Sequence, residues 1–306
     1  MASPGTFKRT LLRHPDHDYR CQMAAPYRLT RSVATPPKSF FLFCKKLSYW
    51  LNNRDGDCVT AEAMYCIDAA MTAAGKGGFV ADDAAVNTFG RHYGLMNGAD
   101  LNQVTDIFAK DGFTDQGNTF KFGEGSTVNY KDLPELNAAI FEAQSSVQIA
   151  IAANQLEAAA GQGTINFLYG SRPDKRTDHC TGLGCYGEAQ ELLDALNSFY
   201  AGMDPKYQAV SLPSGLKPTT DCQVMFSWDK YFICENGSVV DICDEANIRQ
   251  GVYLNGSLLS PIAPTPPPSD WPQPDLTLQS TTSKPPMTAQ QKLDLIAAIT
   301  GVLWKA

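Results

Sequence analysis

One cysteine stands where a helix is expected to begin, and this position constrains the fold more than any other stretch of the chain. Gly56 and Asp57 predict a turn that ends in an N-cap residue. From Val59 onward the sequence is rich in alanine and methionine and has few helix breakers. Cys58 is therefore expected in the first turn of a mostly apolar helix, where the positive end of the helix dipole favours a thiolate over a thiol. A buried structural cysteine at a helix start fits the same stretch.

A second stretch contains the histidine that such a thiolate would need. A cysteine nucleophile requires a nearby imidazole that holds its proton and later gives it to the leaving group. Of the four histidines, only His179 lies in a segment with the character of a buried strand, residues 177–187. His14 and His17 fall in a polar N-terminal stretch, and His92 is expected at a helix end. A buried histidine is often structural, so the pair alone leaves catalysis and packing both open.

Together the two stretches resemble the papain-like cysteine peptidase superfamily. In that family the nucleophile opens a helix, and an amide side chain six residues earlier helps to form the oxyanion hole. Cys58 matches the nucleophile, and Asn52 stands six residues before it. His179 matches the base, because Tyr186-Gly187 follows it at the family's spacing. The resemblance therefore implies that Cys58 is the nucleophile, His179 the general base and Asn52 an oxyanion-hole donor.

Other segments extend the resemblance over roughly residues 47–246. Residues 147–151 and 167–170 are similar to the family's strands before the histidine, and Phe226-Ser227-Trp228-Asp229 occupies the place of Asn-Ser-Trp-Gly. The amino-acid sequence around Cys58 resembles that of papain-like proteins of bacteria and phages. The implied fold is α+β: a helical half with the nucleophile helix packs on an antiparallel sheet half, and the cleft lies between them.

One departure from the family in the segment 226–229 matters for the chemistry. The asparagine that orients the imidazole in the family falls on Phe226, which cannot accept a hydrogen bond. Ser227 is next in the sequence, but neighbouring residues of a strand point to opposite faces, so we expect it to be a poor replacement. By the resemblance, Trp228 and Ser227 are expected as walls of the cleft. A Cys–His dyad can act without a third member, because the orienting residue only tunes the imidazole.

Hydrophobic periodicity predicts helices first and strands after them, which is the order of an α+β domain. A turn-rich stretch at 115–125 and a hairpin turn at 235–238 are also predicted, and residues 188–222 are interpreted as an insertion. Helices are predicted at 58–74, 82–91, 102–110, 133–144 and 189–200, and strands at 147–152, 178–184, 224–228, 230–235 and 239–242.

Composition and charge argue against several classes of function. A net charge of −7 argues against a nucleic-acid-binding protein. The nine cysteines are odd in number and lack the spacing of a disulfide scaffold or a zinc site, so no metal or other cofactor is expected. Gly182, Gly184 and Gly187 form a G-x-G-x-x-G pattern, which we interpret as coincidental in a strand. With no secretory leader or membrane-spanning run, a cytoplasmic location is predicted.

The two ends of the chain are predicted to lie outside the main domain. The first 46 residues carry nine Lys or Arg against two Asp, so this arm is expected to lie on the acidic surface of its own domain or of a neighbouring subunit, or to be a solvated tail. Within it, the apolar residues 39–44 are expected to dock on the core. At the C-terminal end, proline-rich sequence predicts an extended linker that leads to a helix. The apolar stripe of this helix needs a surface to pack on. That surface lies on its own domain or on a neighbouring subunit, and the length of the linker favours the neighbouring subunit. The predicted boundaries are 1–46 for the basic arm, 47–260 for the papain-like domain, 261–286 for the linker and 287–306 for the docking helix.

Two functions from different classes remain open, so the sequence leaves it uncertain whether the protein is an enzyme. The first is a papain-like cysteine peptidase or amidase that acts on a peptide or protein substrate. The second is a non-catalytic papain-like domain used in assembly, for example in a phage virion. The departure at Phe226 and the two arms favour the second hypothesis, whereas Cys58, His179 and Asn52 favour the first.

Overall fold

The helix that begins at Cys58 packs on the longest strand of a seven-stranded sheet. In this computed structural model, which describes residues 36–44, 47–50 and 56–260, helix α1 spans Cys58–Ala73 and strand β6 spans His179–Glu188. The predicted helix is confirmed, with Asp57 at the N-cap position, although its carboxylate makes no capping bond to α1. Asn52, most of the basic arm, the linker and the docking helix lie outside the described residues.

The other elements follow in the order expected of an α+β chain. The predicted helix of the insertion is confirmed as α6. The remaining helices are α2 Asp83–Tyr93, α3 Leu101–Lys110, α4 Leu133–Ala143, α5 Ala153–Ala159, α6 Ala189–Met203 and α7 Asn236–Ile242. The remaining strands are β1 Phe113–Asp115, β2 Asn118–Phe122, β3 Gly125–Thr127, β4 Val147–Ile151, β5 Ile165–Leu168, β7 Asp221–Ser227, β8 Lys230–Glu235, β9 Cys243–Arg249, β10 Val252–Leu254 and β11 Ser257–Leu258.

The strands form two sheets. The larger has the order β3-β9-β4-β6-β7-β8-β5, and the smaller has the order β1-β2-β10-β11. Neighbouring strands of the large sheet are antiparallel, except that β5 pairs with β8 in parallel. The predicted α+β class, with helices early and an antiparallel sheet after them, is thus confirmed, and the β5–β8 pair is its one departure among the described strands.

Two glycines of β6 allow α1 to approach closely. A Cβ at Gly184 would lie 2.5 Å from the Tyr65 hydroxyl, and one at Gly182 would lie 3.1 Å from Oε1 of Glu62. The G-x-G-x-x-G pattern therefore has a packing role. Glu62 packs on Gly182, and Tyr65 packs on both glycines. Cys58 lies one helical turn before Glu62 and lines a small cavity together with Cys180 and Thr181, so it lies beside the beginning of β6.

A buried ion pair joins α1 to β9, which lies two strands from β6 in the sheet. Nη1 of Arg249, on β9, donates to Oε1 of Glu62 at 3.1 Å, and Nη2 donates to Oε2. Oγ of Ser146 donates to the same Oε1 at 2.6 Å. Both charged side chains are 1% exposed. Burial by itself would lower the pKa of Arg249, but the carboxylate of Glu62 raises it above its ordinary value, so the guanidinium stays charged.

The apolar stretch at 39–44 docks on the core, as expected. Phe40 forms an isolated antiparallel bridge with Tyr186 of β6, in which each N–H donates to the other carbonyl at 2.9 and 3.1 Å. The N–H of Cys44 donates to the Tyr231 hydroxyl at 2.8 Å. Phe40, Leu42 and Cys44 are buried. This stretch therefore reaches from β6 to β8.

Two local predictions are wrong. Residues 239–242, predicted as a strand after a hairpin turn, belong to helix α7, and the strand follows it as β9. A short apolar run fits both periods, and Val239 and Ile242, three residues apart, bury one helical face. The stretch at 115–125 forms the β1–β2 hairpin, because Gln116 and Gly117 adopt positive φ angles of 51° and 75° in a two-residue turn.

Candidate functional site

Cys58 lines a very small cavity. It is the first residue of α1 and is 1% exposed. The cavity encloses about 10 Å³, which is about the space of one water molecule. Its walls come from α1, from the beginning of β6, from the end of β7 and from residues 48–49. The lining residues are Ser48, Tyr49, Cys58, Ala61, Glu62, Cys180, Thr181, Phe226, Ser227 and Trp228.

His179 is held by two contacts with residues that line this cavity. It opens β6 and is fully buried. Its Nε2 lies 2.7 Å from Oγ of Ser227. Its ring stacks on the Trp228 indole, with the ring centroids 4.7 Å apart and the planes inclined by 19°. The imidazole is thus held by a hydrogen bond between its Nε2 and Ser227 and by the Trp228 indole against its face.

The expectation that Ser227 would be a poor partner for the imidazole is wrong. Strand β7 ends at Ser227, and Trp228 and Asp229 have positive φ angles of 50° and 62° in the turn to β8. Ser227 reaches the imidazole, whereas Phe226 packs against α1. Its ring stacks on Tyr65 of α1, with centroids 4.4 Å apart. The sequence alone does not indicate whether Phe226 or Ser227 contacts the imidazole.

The predicted site residues thus gather at one place as far as the structure describes them. Cys58, Ser227 and Trp228 line one cavity, and His179 contacts two of these three. Asn52, expected at the oxyanion hole, is outside the described residues. Glu62 lines the cavity one turn after Cys58, and sequence reasoning did not single it out because glutamate is common on helices.

A second thiol lines the cavity, but its chemistry is less suited to nucleophilic attack. Burial, and then the negative charge of Glu62, raise the pKa of Cys180 well above its ordinary value. Because a thiol attacks as its thiolate, Cys180 is a poor nucleophile at neutral pH. Of the two thiols, the one at the helix start is the better candidate.

Ser48 and Tyr49 line the cavity, and Trp50 follows them in the chain. Burial, and then the negative charge of Asp229, raise the pKa of Tyr49, and burial raises the pKa of Asp229 as well. Trp50 is fully buried, and its ring packs edge-on against Phe226 at 5.8 Å. No motif marks this Ser-Tyr-Trp run, so the sequence did not reveal its position. Cys58 is 1% exposed and the cavity has room for about one water molecule, so a peptide does not fit in this space.

The described residues contain neither a candidate metal cluster nor a candidate membrane-spanning helix. Among them, no group of three or more His, Cys, Asp or Glu side chains is arranged to hold a metal ion. Within the same ranges, no helix has both the length and the apolar character needed to cross a bilayer.

Comparison with known proteins identifies the fold. No protein-family profile and no curated protein matches the chain. A solved structure from work on antibody cross-reactivity between the mite allergens Blo t 1 and Der p 1 matches with a TM-score of 0.53 at 12% identity, covering 77% of this chain and 78% of the other. The ragweed pollen allergen Amb a 11, a cysteine protease in its proform, matches with a TM-score of 0.50 at 12% identity, over 78% and 73%. At such identity the likeness shows the fold alone, and that fold is papain-like.

Proposed function

We propose that this protein is a papain-like cysteine peptidase or amidase in which Cys58 is the nucleophile and His179 the general base. The observation that carries the proposal is the contact network around the cavity. Cys58 shares that cavity with Ser227 and Trp228, the two residues that hold the imidazole of His179. The papain-like fold supports the same assignment, since it places a helix start and a strand start side by side.

The proposed reaction is acyl transfer to the Cys58 thiolate. Sγ attacks the carbonyl carbon of a peptide or amide, and the carbonyl oxygen takes the negative charge. The Cys58 backbone N–H, and the Asn52 side chain implied by the family resemblance, would hold this oxyanion. His179 gives its proton to the leaving amine and then takes one from the water that hydrolyses the thioester. The products are a carboxylic acid, an amine and the regenerated thiol.

Hydrolysis of a mixed peptide library tests this function. Cys58→Ala is expected to lower the rate of hydrolysis by about a thousandfold or more, because it removes the atom that forms the thioester. Cys66→Ala is the matched control, since it makes the same change in the same helix at a buried position. Product formation is followed by mass spectrometry, and circular dichroism checks that each variant is folded.

Two results would contradict the proposal. One is hydrolysis that survives in Cys58→Ala. The other is a wild-type protein that neither cleaves the library nor forms a thioether or thiohemiacetal with electrophilic peptide probes. In the second case, the assembly role considered in the sequence analysis would be the remaining hypothesis.

A further inference from the structure

We infer that Ser227 is the positioning residue of this site, accepting a hydrogen bond from Nε2–H of His179 in place of the asparagine that the family uses. The inference rests on the proposed function, because a positioning residue needs a base to position. From the sequence alone, Ser227 is expected only as part of the cleft wall.

The geometry of the contact supports a hydrogen bond that is permanent in the folded protein. The distance of 2.7 Å between Nε2 and Oγ is at the short end of the range for such bonds. Both side chains are buried, His179 at 0% and Ser227 at 3% exposure, so water does not compete for the pair. Ser227 is the last residue of β7, and its pairing with Lys230 closes the turn through Trp228 and Asp229. The backbone that carries the hydroxyl is therefore fixed on both sides.

The chemistry of the base decides the direction of the bond. For His179 to take a proton through Nδ1, the neutral ring must carry its own proton on Nε2. A serine hydroxyl oxygen accepts such a hydrogen bond, and it does so in both charge states, because Nε2 keeps its proton in the imidazolium. Ser227 thus selects the reactive tautomer and also stabilises the charged ring. Trp228 restricts rotation of the ring out of this plane.

The aromatic packing around Phe226 shows why the polar group lies one residue later than in the family. Phe226 stacks on Tyr65 and contacts Trp50 edge-on, so its side of β7 is committed to the contact with α1. A polar side chain at 226 would face this aromatic cluster. The next residue, Ser227, has the hydroxyl that reaches the imidazole.

The tautomer of His179 can be observed directly by long-range ¹H–¹⁵N correlation of the imidazole nitrogens, with His179→Gln assigning the signal. Wild type is expected to show the Nε2–H form, Ser227→Ala a mixture of the two tautomers, and Ser227→Thr, which keeps the hydroxyl, the wild-type pattern. Ser238→Ala is the matched control, because it removes a serine hydroxyl that is also buried, at 1% exposure, but lies in α7. An Nε2–H signal that is unchanged in Ser227→Ala would overturn the inference, whether or not the protein proves to be an enzyme.

Kinetics provides the second measurement. Ser227→Ala is expected to lower kcat by between about ten- and a hundredfold with little change in KM, because the base is misplaced while the substrate contacts remain. The alkaline limb of the pH profile should move to lower pH, since the imidazolium loses a hydrogen bond that favours its charged form. If Cys58→Ala abolishes hydrolysis while Ser227→Ala keeps the wild-type rate and profile, the proposed function stands and the positioning role is wrong.

Discussion

At the level of single residues, its position at a helix start distinguishes Cys58 from the other buried thiols of this protein. All eight cysteines that the structure describes are buried. Burial raises the pKa of Cys185, Cys222 and Cys243 to about 12. Burial disfavours the charged form of an acid, so the shift is upward. These three groups are therefore neutral thiols at pH 7 and become thiolates only near pH 12. Cys58 differs because it opens a helix beside an imidazole-bearing strand.

Alkylation by iodoacetamide near pH 7 is therefore expected to modify Cys58 much faster than the other described cysteines, whose labelling should rise only in strongly alkaline solution or on unfolding. The readout is the rate of modification of each cysteine peptide by mass spectrometry. The experiment uses Cys21→Ser, since Cys21 is outside the described residues. Uniform, slow labelling of every thiol would contradict an activated Cys58.

Sequence reasoning was strongest where residue type alone implies chemistry. The sequence predicts both a cysteine at a helix start and a histidine in an apolar strand, and it predicts Trp228 in the wall of the cleft. Ser227 was undervalued because the choice between two neighbouring faces depends on the turn at 228–229. Tyr49 was missed because its contact with Asp229 joins residues far apart in sequence.

At the scale of elements, the contact of α1 with the sheet combines close packing with a buried charge pair. Long periodic segments such as α1 and α6 were predictable, because many residues support one period. Short segments such as α7 and β10 were not, since few residues decide between helix and strand and tertiary contacts settle the choice. The pair of Glu62 and Arg249 also escaped prediction, because its members are 187 positions apart in the chain.

Breaking this ion pair should destabilise the domain. Glu62→Ala or Arg249→Ala is expected to cost about 3–5 kcal/mol in the free energy of unfolding, because each leaves the other charge buried without its partner. The double variant Glu62→Met/Arg249→Met should cost less than either single change, since it removes both charges and keeps apolar volume. Urea unfolding measures all three. Arg176→Ala, which breaks the exposed pair with Asp174, is the control and should change little. Additive costs in the double variant would show that the two residues act independently.

At the scale of the whole molecule, the N-terminal region does not divide simply into an arm and a domain. Residues 39–44 belong to the predicted basic arm, yet they cross from β6 to β8 and bury three side chains. Lys38 adds an ion pair at 2.7 Å to Glu188, at the end of β6. The predicted separation of the basic arm and of the docking helix at 287–306 stays a prediction, because both fall largely outside the described residues.

Two N-terminal truncations test where the folding unit begins. Removal of residues 1–44 is expected to lower the free energy of unfolding by at least about 3 kcal/mol, because it deletes the buried side chains of Phe40 and Leu42. It also leaves the Tyr231 hydroxyl without the N–H of Cys44 in the interior, which adds to the cost. Removal of residues 1–35 keeps these contacts and serves as the control, with a stability expected to equal that of the full chain. Thermal and urea unfolding give both values. If the shorter and the longer truncation prove equally stable, residues 36–44 add nothing to the fold, and the folding unit begins near the predicted boundary at residue 47.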